Sequence, residues 1–225
     1  MPSDVAREDS RAAPLGTTHL ERIARYYAGT LSAHGPTARG VDWRDEEGQE
    51  RRFRELSHVI GHDATASVAE IGCGYGALAH HLRRHGLNGP YLGLDVAPEM
   101  IAAAMRHCEG LTAVRFVVGS VPSEPHDYLL ASGIFNVRLD IPDKDWEAHV
   151  FATIETMGER ARKGIAFNCL TRYSDADRMR RTLWYPDPGM ILGRCIARFG
   201  NRVTLAHDYG MWEFTVRVRF EEAAA

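Results

Sequence analysis

The stretch Val68-Ala-Glu-Ile-Gly-Cys-Gly-Tyr-Gly76 decides how this chain is read. A short apolar run closes on Glu70-Ile71, and glycines follow at alternate positions, Gly72, Gly74 and Gly76. Ala77-Leu-Ala-His-His-Leu82 then suits the first turns of a helix. The pattern predicts a strand, a tight turn and a helix, because glycine reaches dihedrals other residues avoid and lets a ligand lie against backbone. The helix start offers unpaired N–H groups to a polar or anionic ligand. Cys73, inside the turn, reads as a small filler.

Pro90-Tyr-Leu-Gly-Leu-Asp95 predicts a second strand ending in a carboxylate, and Asp95 stands 19 positions beyond Gly76. In a βαβ unit a carboxylate at that offset accepts both hydroxyls of a ribose. The glycine spacing is Gly-x-Gly-x-Gly, not the Gly-x-Gly-x-x-Gly of dinucleotide folds, and no Gly-Lys-Ser/Thr phosphate loop follows.

Glu70 through Gly76 resembles the first motif of the class I S-adenosylmethionine-dependent methyltransferases, hydrophobic-acid-hydrophobic-Gly-x-Gly-x-Gly, and Asp95 matches the acid closing their second strand. The resemblance covers about residues 67–220 and is specific for cofactor and fold, much less so for the methyl acceptor. It implies an α/β, Rossmann-like fold with a seven-stranded, mostly parallel sheet, an antiparallel terminal strand and an N-terminal helical cap. The implied cofactor is S-adenosyl-L-methionine. Its implied contacts are Glu70, Gly72, Cys73, Gly74, Gly76, Asp95, Val96 and Met100. Gly119-Ser120-Val121, after a third strand over 114–118, matches the adenine-holding region, where many members carry an acid in place of Ser120. Ser132, Gly133, Phe135 and Asn136 leave the fourth strand, at the place where the family brings cofactor and acceptor together. Gly40-Val-Asp-Trp43 followed by Gln49-x-x-Arg52-Phe53 is similar to the cap of a bacterial small-molecule methyltransferase group, which adds Trp43 and Arg52 to the cofactor contacts.

Three parts follow from the order of elements: a tail over 1–16, a helical cap over 17–66 and a cofactor-binding core over 67–225. The cap holds a short helix ending near Thr30, a Gly/Pro-punctuated loop to Trp43 and a helix over 46–59 whose apolar stripe is Phe53, Leu56, Val59 and Ile60. A long helix over 144–162 carries Trp146, Val150, Ile154 and Met157 as core, and Arg160-Ala-Arg-Lys163 reads as its solvated basic end. Asp187-Pro188 predicts a capped helix start. Strands over 203–207 and 214–220 form a terminal hairpin.

Composition narrows the function classes. The chain has 225 residues, 44% hydrophobic and 25% charged, with a net charge of −3, which gives no broad cationic surface for nucleic acid. No apolar run approaches the roughly 20 residues of a membrane span, and the amino terminus lacks a signal peptide's apolar core. Four cysteines, at 73, 108, 169 and 195, lack metal-ligand spacing, so free thiols, a cytoplasmic setting and no metal are expected. The expected partner is a small-molecule methyl acceptor modified at oxygen or nitrogen, with a homodimer open. A protein acceptor, or a regulatory protein that binds the cofactor without turnover, is the alternative. His207, at the end of the sixth strand, is the expected general base if the acceptor must lose a proton, with Asn136 and Tyr209 positioning that acceptor.

Overall fold

The computed structural model describes residues 16–220; the predicted tail lies outside them except for Gly16. The chain forms helices α1 (Thr17–His34) and α2 (Glu46–Ser57), joined by a 3-10 turn at Arg39–Val41. Strand β1 (Val68–Ile71) then alternates with α3 (Ala77–Arg84), β2 (Tyr91–Asp95), α4 (Pro98–His107) and β3 (Val114–Val118). β4 (His126–Ala131), α5 (Asp143–Arg160), β5 (Ala161–Leu170), α6 (Pro188–Phe199), β6 (Val203–Ala206) and β7 (Glu213–Arg219) follow. β3 passes directly into β4 through residues 119–125, with no helix between them.

The sheet order is β3-β2-β1-β4-β5-β7-β6. β1 to β5 pair in parallel, and β7 runs antiparallel to both its neighbours. This is the seven-stranded, terminally antiparallel sheet the sequence predicts. The order reverses between β1 and β4, so a crevice opens above their carboxyl ends. Ile71 pairs with Ala131, and Ala131 with Phe167. One residue further on, Gly72, Ser132 and Asn168 therefore stand abreast at the functional edge.

Two apolar cores flank the sheet, as strands buried on both faces require. On one face α5 and α6 pack over Leu129, Ile165, Phe167 and Val216. On the other, Phe53 and Leu56 of α2 meet Leu78 and Leu82 of α3 over Val68 and Leu130. Trp146 is fully buried, and its Nε1–H donates to the Phe135 carbonyl at 3.0 Å. Truncating it would cost about 3–5 kcal/mol.

Three boundaries differ from expectation. α1 runs four residues past Thr30, because Leu31 to His34 tolerate helix and the breaker is Gly35, whose φ of 69° closes it. The basic run after Arg160 is strand: Ala161 pairs with His126 of β4, and Lys163 reaches Asp63 at 2.7 Å. Tertiary pairing there overrides helical periodicity. His207 lies just past β6, in the connection to β7. Asp187 caps α6 as expected, accepting from the Gly189 and Met190 N–H groups.

Candidate functional site

The glycine turn is held from inside. Gly72 and Cys73 N–H groups donate to the Leu94 carbonyl at 2.7 and 2.9 Å, tying the end of β1 to β2. Gly72 has φ 72°, and a Cβ there would stand 2.1 Å from Ile134 Cγ2, so both backbone and space demand glycine. Asp95 Oδ2 accepts from Gly74 N–H at 3.0 Å, and its Oδ1 accepts from Ala97 N–H at 2.9 Å. Burial raises the Asp95 pKa against these bonds. Glu70 accepts from the Tyr91 hydroxyl, and burial pushes its carboxyl up to about 8.

Above the turn lies the segment preceding the sheet. Gln49 Oε1 accepts from the Tyr75 hydroxyl at 2.8 Å, joining α2 to the glycine turn. Trp43 is half-buried, and the Arg52 guanidinium stacks 3.8 Å from the centre of its ring. Arg52 Nε also reaches the Glu213 carboxylate at 2.8 Å. Asp42 accepts from the Tyr26 hydroxyl at 2.8 Å and stands 3.5 Å from Arg180.

These elements enclose a cavity of about 760 Å³. Of the expected cofactor contacts, Trp43, Arg52, Glu70, Gly72, Cys73, Gly74, Asp95, Val96, Met100, Gly119, Ser120, Val121, Ser132 and Gly133 all line it. Gly76 does not. It stands behind the turn, where a Cβ would meet Cys108 Sγ at 2.7 Å. Asn136 lines the cavity, and its Oδ1 accepts from Leu170 N–H at 3.1 Å.

His207 and Tyr209, expected beside the acceptor, are not among the residues that line the cavity. β6 is the outermost strand, separated from β5 by β7. The His207 ring lies 6.4 Å from that of Tyr173 and 6.3 Å from that of Phe214. The Tyr209 hydroxyl is engaged with Thr215 Oγ1 at 3.1 Å. The direction of a strand brought its end to the correct edge; its rank in the sheet carried it too far across.

Sequence reasoning missed several wall residues: Tyr27, Gln49, His149, Thr153 and Arg180. Tyr27 shows in the sequence only as one of an apolar helical stripe. Its phenol is buried near Asp42 and Asp95, which raises its pKa. Gln49 sits within the cap motif. His149, whose pKa burial lowers to about 4, and Arg180 carry no local signal. Among the described residues no helix is long and apolar enough to cross a membrane.

The donor set suits S-adenosylmethionine. A carboxylate with lone pairs to spare closes β2, the backbone of the glycine turn faces the cavity, and Ser132 Oγ is buried in the wall with no hydrogen-bond partner. A buried hydroxyl without a protein partner is rare and leaves a polar contact for a ligand or an ordered water. Comparison with known proteins agrees. The family described as "Methyltransferase domain" matches residues 68–163. The putative methyltransferase Rv1506c of Mycobacterium tuberculosis is 45% identical over 153 residues, which are 68% of this chain and 92% of that protein. The fold is similar to that of magnesium protoporphyrin IX methyltransferase from Synechocystis PCC 6803 with bound SAM, at TM-score 0.66 and 13% identity over 93% of this chain and 99% of that one. It is also similar to that of the DhpI–SAM–HEP complex, at TM-score 0.63 and 18% identity over 90% and 98% of the two chains. The chain belongs to the class I S-adenosylmethionine-dependent methyltransferases, and S-adenosylmethionine is its cofactor.

Proposed function

We propose that the enzyme methylates a small metabolite at oxygen or nitrogen, with the acceptor seated in the same cavity as the cofactor. The observation that carries this reading is a single cavity of about 760 Å³ lined by the cap and the sheet edge together. Its roof is made by Tyr27, Trp43 and Arg52, all preceding the sheet, and its far wall by Leu170, Arg180 and Leu183. A cavity of this size, lined by both cap and sheet edge, suits a small ligand better than a folded protein surface or a duplex.

The cofactor supplies a methyl group on a sulfonium, whose bond to sulfur breaks as the acceptor's lone pair bonds to carbon. The chain has to align the partners and exclude water. Asp95 would hold the ribose diol, Gly72 and Gly74 would present backbone to the amino-acid end, and Ser120 and Val121 would flank the adenine. Asn136 Oδ1 is occupied by Leu170 N–H, so its Nδ2 donors are the part offered to an acceptor. Ser132 Oγ supplies a second polar contact beside it. An acidic acceptor proton leaves to solvent or to a group the acceptor itself carries. The buried free thiols Cys73, Cys108, Cys169 and Cys195 support a reducing, cytoplasmic setting.

The test is to incubate the enzyme with methyl-labelled cofactor and a deproteinised metabolite extract, and to follow label by intact-mass analysis together with S-adenosylhomocysteine release. Label on a small molecule is the expected result. Label that appears only when protein is restored to the extract would overturn the reading in favour of a protein acceptor.

A further inference from the structure

Glu213 opens β7, opposite Leu170 of β5, and is fully buried. A carboxylate removed from water must be paired and hydrogen-bonded to remain charged. Its partners lead in two directions. On one side Arg52 Nε lies 2.8 Å from Oε1 and 2.9 Å from Oε2, and the same guanidinium stacks on Trp43. On the other side Asn168 Nδ2 donates to Oε1 at 3.0 Å, and Asn168 Oδ1 accepts from Gly133 N–H at 2.7 Å. The two arms meet again. Trp43 packs so closely on Gly133 that a Cβ there would lie 2.2 Å from the indole. Glu213, Arg52, Trp43, Gly133 and Asn168 thus form a closed circuit joining the cap, the exit of β4, β5 and β7. Three of them, Arg52, Trp43 and Gly133, line the cavity, whereas Glu213 and Asn168 do not.

We propose that Glu213 is a positioning residue for methyl transfer. It acts through Arg52 on the roof of the cavity and through Asn168 on the wall beside the acceptor, and so holds both at one spacing. The second arm satisfies the buried carboxylate and also ties the two sides of the cavity to one group. Here the carboxylate fixes the guanidinium that backs Trp43, and the amide that fixes the backbone on which Trp43 rests. Without the charge of Glu213, the Arg52 guanidinium gains by turning towards water and leaving the indole. Trp43 then loses its backing on one side, while Asn168 loses its charged acceptor on the other. The cofactor is the ligand that senses this, because Trp43, Arg52 and Gly133 stand in the same wall as Gly72 and Asp95.

The proposal rests on the cofactor occupying this cavity, and the experiment separates the two. The dissociation constant of S-adenosylhomocysteine is measured by calorimetry for the wild type, Glu213→Gln, Trp43→Leu and the double variant, with the melting temperature of each recorded. Each single change is expected to weaken binding about 10-fold. The double variant is expected to be no more than about threefold weaker than either, since both break one circuit. A merely structural Glu213 would lower the melting temperature and leave this non-additivity absent. Unaltered affinity in Glu213→Gln, or a double loss near the product of the singles, would overturn the proposal while leaving the cofactor site intact. A wild-type protein that binds no S-adenosylhomocysteine would overturn both. If Glu213→Gln does not fold, Arg52→Lys takes its place in the cycle. It keeps a cation beside Glu213 but gives up the planar stack, with the same non-additivity expected.

Discussion

The Asp95 carboxylate accepts the Gly74 N–H at 3.0 Å, so the residue proposed to hold the ribose also holds the glycine turn proposed to meet the rest of the cofactor. One side chain at the end of β2 therefore shapes two parts of the site. Asp95→Asn keeps the volume but removes the charge and one acceptor. Loss of two charge-assisted bonds at about 1.5 kcal/mol each predicts an affinity for S-adenosylhomocysteine lower by roughly 100-fold. Calorimetry is the measurement, and an unchanged dissociation constant would exclude Asp95 from the contact.

Gly133→Ala is expected to be destabilising and to weaken cofactor binding together. The residue has φ 77°, and an added Cβ meets Trp43 Cζ2 at 2.2 Å. The left-handed backbone alone costs about 1–2 kcal/mol for a residue with a Cβ. The indole must then leave its place beside Arg52. Thermal unfolding reports the first effect and tryptophan fluorescence the second. An alanine variant with native fluorescence would show that Trp43 has room to yield.

Glu70 links stability to pH. Burial raises its pKa to about 8 from the ordinary 4.5, so the folded protein holds a proton there that the unfolded chain releases. Where the folded state binds more protons, stability falls as pH rises. The stabilisation is complete below about 4.5 and is lost as pH climbs through about 8. Glu70→Gln mimics the protonated form, so its melting temperature should gain on the wild type between those limits and then run parallel. Parallel curves from pH 5 to 9 would place the proton elsewhere.

His207→Gln should leave turnover and its acidic limb unchanged once an acceptor is in hand. The ring sits between Tyr173 and Phe214, away from the cavity wall. A pH–rate profile that loses its acidic limb in the variant would bring the imidazole back into the chemistry.

The fold and most of the cofactor wall were legible in the linear chain, because they depend on local rules. Glycines at 72, 74 and 76 have to bend a strand into a helix, and a carboxylate at 95 has to close the next strand. The alternating apolar run from Phe214 reads as a strand. Each of these is a relationship among residues close in sequence, and the βαβ unit repeats it with fixed handedness.

Residues meeting across the sheet were not legible. Nothing near Glu213 in the sequence announces Arg52, which lies 161 positions away, and nothing near Asn168 announces Gly133. The place of His207 was hidden for the same reason: its strand points to the functional edge, but the insertion of β7 moves it sideways by two strand widths. Lateral order and long-range pairing depend on the summed packing of both faces of the sheet, which no local pattern carries. Strand direction and turn geometry follow from neighbouring residues through backbone sterics alone, and so they could be read from the chain before it was folded.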